Sequence, residues 1–147
     1  MVQVQVNEQL LGDSAFFSDA QHLEELVHIF KFAERRVLLG EGALDALGAE
    51  CQRLEVTRVL LVRDPGVRGL APHVHRALQE AGVERVGEYD GVVSNPTVDS
   101  VGACADAIVA SGANAVLALG GGSTMDTAKA AACVATTGEP IDRYWGF

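Results

Sequence analysis

Ten residues, Gly120-Gly121-Gly122-Ser123-Thr124-Met125-Asp126-Thr127-Ala128-Lys129, combine the residue types that hold an anion. Ahead of them stands a short apolar run, Ala115 to Leu119, with the length and bounds of a buried strand. Behind them Met125, Ala128, Ala132 and Cys133 recur at helical spacing. A strand, a glycine turn and a helix N-terminus together make a seat for phosphate or pyrophosphate. Glycine lets backbone approach a ligand with no side chain in the way, and the first amides of a helix have no partner within it. The helix dipole favours negative charge at the same place. The hydroxyls of Ser123 and Thr124 can cap the helix or add donors. The string departs from two familiar phosphate loops. Position 125 is Met where the dinucleotide fingerprint has Gly or Ala, and Lys129 stands well inside the helix instead of directly after the glycines. A tight strand-to-helix turn with no ligand is the competing reading.

Two more positions, each beyond an apolar run, offer suitable polar groups. Asp64 follows the run Arg58 to Val62. Its carboxylate can accept hydrogen bonds from both hydroxyls of an adenosine ribose and would repel a 2′-phosphate, which favours NAD over NADP. It can equally cap the turn Asp64-Pro65-Gly66. Asn95, in Ser94-Asn95-Pro96-Thr97, can turn its amide toward a ligand phosphate or ribose, or simply occupy a loop ahead of a helix. Asp126 and Lys129 are three apart on a helix. They form either a solvated surface pair or a support for the glycine turn with an added positive charge. His73 and His75 are two apart on a helix and do not share a face, and no carboxylate or cysteine cluster has ligand spacing, so no metal site is assigned. No Ser-His-Asp arrangement or GxSxG elbow is present, and no residue is assigned a catalytic role.

These groups need strands to deliver them and helices to cover the strands. Val2, Val4 and Val6 alternate with polar residues and suit a short edge strand. Ser18 to Phe30 reads as an amphipathic helix, with Ser18 and Gln21 at capping-box spacing and Leu23, Leu26, Val27 and Phe30 on one face. Strands are expected at Arg36–Leu39, Arg58–Val62, Glu84–Tyr89 and Ala115–Leu119. Helices are expected over Ala43–Leu54 and Leu70–Ala81, from the cap Thr97 to Gly112, and over Ser123–Thr136. The third of these would bury Val101, Cys104, Ile108 and Val109. Strands alternating with helices of roughly a dozen residues argue for βαβ units. The expected fold is α/β, a three-layer Rossmann-like parallel sheet with helices on both faces. Residues 1–30 form an N-terminal arm and residues 31–147 a dinucleotide-binding α/β domain. Ligands of such sheets bind beyond the carboxyl ends of the strands, where Asp64, Asn95 and Gly120–Ser123 fall.

The chain has 147 residues, of which 48% are hydrophobic, enough for one domain with a core. Its net charge of −9 opposes nucleic acid and anionic membrane surfaces as partners. No apolar run approaches the roughly 20 residues of a membrane span. The start, MVQVQVNEQ, has no basic region and no long apolar region, so no secretory signal is expected. Cys51, Cys104 and Cys133 are odd in number and lack CxxC spacing, which reads as reduced thiols in the cytoplasm.

The full glycine string resembles the pyrophosphate-binding signature GGGSxxDxxK of the iron-containing alcohol dehydrogenase family. From about Phe32 to about Trp145 the chain is similar to that family's N-terminal, nucleotide-binding portion. The further matching pieces come in the family's order: Leu39-Gly40-Glu41-Gly42-Ala43-Leu44, Leu61-Val62-Arg63-Asp64-Pro65-Gly66, and Tyr89-Asp90-Gly91-Val92-Val93-Ser94-Asn95-Pro96-Thr97. The resemblance implies that Gly121, Gly122 and Ser123 contact the dinucleotide pyrophosphate, with Gly120 beside them in the cofactor site. Asp64 would take the adenosine ribose, Asn95 would lie near the cofactor, and Asp126 and Lys129 complete the signature. It also implies hydride transfer between a nicotinamide and a small alcohol or aldehyde, and a homo-oligomer.

The family's metal ligands, one Asp and three His, belong to a helical C-terminal domain absent from this sequence, as is the next strand with its Thr-Thr-containing loop. Fe2+ or another divalent metal is therefore expected only if that domain is supplied, and the chain alone is expected to be inactive. A sheet missing a strand should expose an edge and apolar helix faces, favouring self-association or a partner that completes it. Two other readings stand beside this one: an NAD-binding domain like that of dehydroquinate synthase, and a non-catalytic nucleotide-binding or interaction domain.

Overall fold

The computed structural model describes residues 2–4, 28–32 and 35–144. The strands are β1 (Val2–Val4), β2 (His28–Phe32), β3 (Arg35–Leu39), β4 (Arg58–Arg63), β5 (Glu84–Tyr89) and β6 (Ala115–Leu119). The α-helices are α1 (Leu47–Arg53), α2 (Ala71–Glu80), α3 (Val98–Ser111) and α4 (Gly122–Thr137). Strands β1, β6, β4 and β5 lie in that order in one parallel sheet, while β2 and β3 form a separate antiparallel pair.

The two central strands are apolar over Val59–Val62 and Ala115–Leu119 because both of their faces are covered there. Successive side chains alternate between the faces. Val59 and Leu61 of β4, with Leu117 and Leu119 of β6, pack on Leu47 and Cys51 of α1 and on Val74 and Leu78 of α2. Leu60, Val62, Val116 and Ala118 point the other way, onto Val101, Cys104, Ala105 and Ile108 of α3 and Met125, Ala128 and Ala131 of α4. This is the expected three-layer α/β arrangement with helices on both faces.

Helix boundaries follow local chemistry. Thr97 and Ser100 form a reciprocal capping box: the Ser100 N–H donates to Thr97 Oγ1 at 3.2 Å and the Thr97 N–H donates to Ser100 Oγ at 2.9 Å. Gly112 closes the same helix in the left-handed conformation at φ 62. The expected helix over Ala43–Leu54 divides into a 3-10 turn, Ala43–Ala46, followed by α1. Another 3-10 segment, Pro65–Leu70, precedes α2.

Three expectations are corrected. His28–Phe30 belong to β2 and not to a helix, because their backbone pairs with β3 from His28 opposite Leu39 to Phe32 opposite Arg35. The rest of the Ser18–Phe30 helix lies outside the described residues, as does Val6. β3 therefore belongs to this hairpin and not to the parallel sheet. Val109 is 65% exposed, and Ala105, not Val109, completes the buried face of α3. Beside β6, Val2, Gln3 and Val4 pair with Leu117, Ala118 and Leu119, so β1 is the edge strand on that side. At the opposite edge β5 carries Glu84, Arg85 and Glu88, charges that discourage pairing with another strand.

Candidate functional site

Because β4, β5 and β6 are parallel, the loops after them open at one end of the sheet. Strand pairing continues one residue beyond β4, where the Asp64 N–H donates to the Leu119 carbonyl at 3.0 Å. That bond sets Asp64 against Gly120. A Cβ built on Gly120 would stand 2.9 Å from Asp64 Cβ and 2.9 Å from Thr124 Cβ, and would run into Thr124 Oγ1. Gly120 also holds φ +156, where side chains are rarely tolerated. Its neighbours differ: Gly121 and Gly122 are exposed, with nothing within 4 Å of where a Cβ would be. The turn is thus closed on its inner side and open on its outer side, a cradle of backbone that a ligand can approach.

Helix α4 starts at Gly122 with Gly121 as its N-cap, and no side chain caps it. Its first helical hydrogen bond runs from the Met125 N–H to the Gly121 carbonyl at 3.1 Å, so the amides of Gly122, Ser123 and Thr124 stand ahead of the helical ladder. Of the two roles open to the Ser123 and Thr124 hydroxyls, capping the helix is not the one they take. They lie within its first turn, two and three residues past the cap position. Thr124 is 0% exposed, and its Oγ1 has no hydrogen-bond partner.

Asp64 does cap the turn that follows it: Oδ1 accepts the Gly66 N–H at 2.6 Å. A carboxylate has about four acceptor sites, so this bond leaves capacity for a ligand hydroxyl. Asn95 lies on the loop after β5 with φ 55, a backbone region that asparagine enters more readily than most residues. It is exposed, and its side chain makes no hydrogen bond to any other described residue. Asp126 and Lys129 are both exposed on α4 and form no ion pair with each other. The structure thus joins Asp64 to the glycine turn, places Asn95 on a third loop at the same end of the sheet, and leaves Asp126 and Lys129 on the solvent side of α4.

Arg63 was not singled out from the sequence. It is 6% exposed at the end of β4. Its Nε donates to Glu88 Oε1 at 2.6 Å and its Nη2 pairs with the same oxygen, while Asp90 Oδ2 lies 3.6 Å from Nη2. Nη1 donates to the Asp64 carbonyl at 3.4 Å. Arg85 binds the other Glu88 oxygen at 2.7 Å. This network ties the ends of β4 and β5 together directly beneath Asp64. Its only trace in the sequence is a cation ending one apolar run and two acids ending the next.

Two buried thiols and one phenol are shifted. Burial pushes Cys104 up to about 11. Burial, with Glu50 adding to it, raises Cys51, and burial, with Cys104 and Asp90 adding to it, raises Tyr89. Such thiols are poor nucleophiles at neutral pH. His73, with Asp45, Arg76, Ala77 and Glu80, lines a depression of about 290 Å³, which none of the glycine-turn residues borders. Among the described residues no group of three or more His, Cys, Asp or Glu is arranged to hold a metal ion.

The family model for iron-containing alcohol dehydrogenase matches residues 34–146. The chain is 32% identical over 117 residues to the sulfoacetaldehyde reductase of Bilophila wadsworthia, covering 78% of this chain and 30% of that protein. It is 36% identical over 109 residues to alcohol dehydrogenase 4 of Saccharomyces cerevisiae, covering 73% and 28%. The crystal structure of an NADH-dependent butanol dehydrogenase from Thermotoga maritima superposes with a TM-score of 0.64 at 31% identity, over 69% of this chain and 26% of that one. The chain therefore spans less than a third of the length of these relatives. With the family match extending from β3 through the glycine turn and α4, the chain belongs to the iron-containing alcohol dehydrogenase family.

Proposed function

We propose that this chain is the dinucleotide-binding part of an NAD-dependent oxidoreductase that interconverts alcohols and aldehydes. One observation carries the reading: Asp64 and the glycine turn, 56 residues apart in sequence by subtraction (120 − 64), meet at the carboxyl ends of adjacent strands. That is where open parallel sheets bind nucleotides. The cradle fits a diphosphate because its outer side is open and the first amides of α4 stand ahead of the helical ladder.

In this reading Gly120, Gly121, Gly122 and Ser123 seat the pyrophosphate through backbone and hydroxyl donors. Asp64 accepts from the adenosine ribose with the capacity its turn cap leaves. Its charge disfavours a 2′-phosphate and so selects NAD over NADP. Asn95 lines the cofactor from the third loop. Asp126 and Lys129 flank the helix, with Lys129 adding positive charge. These residues would hold a nicotinamide dinucleotide, which would supply the hydride-transfer chemistry. The described residues do not fit a metal. The chain spans 24–30% of the length of its curated relatives, so the substrate pocket is assigned to sequence beyond this stretch. The thiols are unpaired, and Cys51 and Cys104 are buried, which suits a reducing, cytoplasmic setting.

Calorimetric titration of the purified chain with NADH and NADPH tests this directly. NADH should bind at micromolar to millimolar concentration, NADPH at least about tenfold more weakly, and no alcohol should be oxidised. Equal affinity for the two would remove the role given to Asp64. No binding of either at millimolar concentration would overturn the reading.

A further inference from the structure

Helix α4 has 16 residues, and its N-terminus carries a second feature beyond its amides. Thr124 is wholly buried in the first turn, yet its Oγ1 has no hydrogen-bond partner. Buried hydroxyls are nearly always satisfied, and one left unpaired carries the cost of its lost hydration. The residue is not needed as a cap, because Gly121 holds the cap position. Its hydroxyl points at Gly120, where it would collide with any Cβ, and Asp64 Cβ borders the same spot. Gly121 and Gly122, the next two residues of the same turn, have nothing within 4 Å of where a Cβ would be.

We propose that Thr124 is a binding residue held unsatisfied in the empty chain: when an anion seats on the Gly120–Gly122 turn, its hydroxyl donates to a phosphate oxygen. This rests on the nucleotide-site reading above and assigns a residue that the reading does not use. The ligand-free chain bears the cost of the orphan hydroxyl and the loaded chain recovers it, so ligand affinity and ligand-free stability are coupled with opposite sign through one atom.

The test compares wild type with Thr124→Val, which keeps the shape and removes the hydroxyl, and Thr124→Ser, which keeps the hydroxyl. Each is titrated with NADH and, separately, with inorganic pyrophosphate, and each is melted without ligand. Thr124→Val should melt about 2–4 °C higher than wild type when ligand-free. It should also bind both probes about tenfold more weakly. Thr124→Ser should bind within about twofold of wild type. Unchanged binding by Thr124→Val overturns the assignment. So does a Thr124→Val chain that is less stable than wild type or unfolded, because the hydroxyl then has a structural role. If wild type takes pyrophosphate but not NADH, the dinucleotide reading falls while Thr124 is still decided by pyrophosphate. If wild type takes neither, both fall.

Discussion

Two adjacent glycines separate packing from binding. At Gly120 a Cβ would meet Thr124 and the Asp64 Cβ, and φ is +156. Gly120→Ala should therefore destabilise the fold by about 3 kcal/mol or more, read as a lower urea midpoint. At Gly121 φ is −82 and the space around the Cβ position is empty. Gly121→Ala should leave the urea midpoint nearly unchanged and weaken NADH by about tenfold, since the added methyl stands where the ligand approaches. Loss of stability at both positions would mean that the turn is shaped for packing alone. Asp64 can be divided in the same way. Asp64→Asn keeps an oxygen for the Gly66 N–H and loses the charge, so stability should hold while the preference for NADH over NADPH falls about tenfold. Asp64→Ala loses the cap as well, at about 1 kcal/mol. A discrimination ratio unchanged in Asp64→Asn would reduce the residue to its turn. From the sequence both roles of Asp64 were visible and neither could be preferred. The structure shows the turn cap, made through Oδ1, which leaves acceptor capacity elsewhere on the carboxylate. Thr124 was legible only as a donor near the turn, because nothing in local spacing tells a capping hydroxyl from a buried one.

The elements that position these residues were mostly written in local pattern. β4 and β6 read as apolar runs because both faces are buried, and α3 announced itself with the cap Thr97. Thr97→Ala removes the Oγ1 that accepts the Ser100 N–H, while the backbone N–H of residue 97 can still donate to Ser100 Oγ; it should cost about 1 kcal/mol, seen as a lower denaturation midpoint with an unchanged m-value. A midpoint identical to wild type would show that tertiary packing alone holds the start of α3. The hairpin was not legible in the same way. Leu23, Leu26, Val27 and Phe30 satisfy helical spacing, and a short apolar stretch such as His28–Phe32 is ambiguous without its partner. Strand β3 settles the matter through backbone pairing. Val109 fits the apolar repeat of α3 but lies at the rim of the α3–α4 face, outside the buried stripe.

For the molecule as a whole, the buried thiol between the sheet and α3 gives a global reporter. Cys104 is 0% exposed, and burial raises it from 9.0 to about 11. Below pH 9 the thiol is protonated in folded and unfolded chains alike, and its contribution is intact. Between about pH 9 and about pH 11 the unfolded chain ionises first, so stability should fall with rising pH by on the order of 2 kcal/mol. Cys51 and Tyr89, also raised, act in the same direction. Urea midpoints measured across that window should decline for wild type and decline less for Cys104→Ala. Equal slopes would show that the thiol is not the cause.

The sequence by itself determined the alternation of strands and helices, the two faces of the core, and the arrival of a glycine turn, an aspartate and an asparagine at the carboxyl ends of three strands. These are readable because period and turn chemistry act over a few residues. Only the tertiary structure decided that Val2–Val4 flank β6, that β2 and β3 leave the main sheet to pair with each other, that Arg63 clamps Glu88 beneath the site, and that Thr124 is sealed behind Gly120. Each of these depends on which distant segment supplies the partner for a backbone edge, a charge or a hydroxyl, and no local periodicity carries that choice.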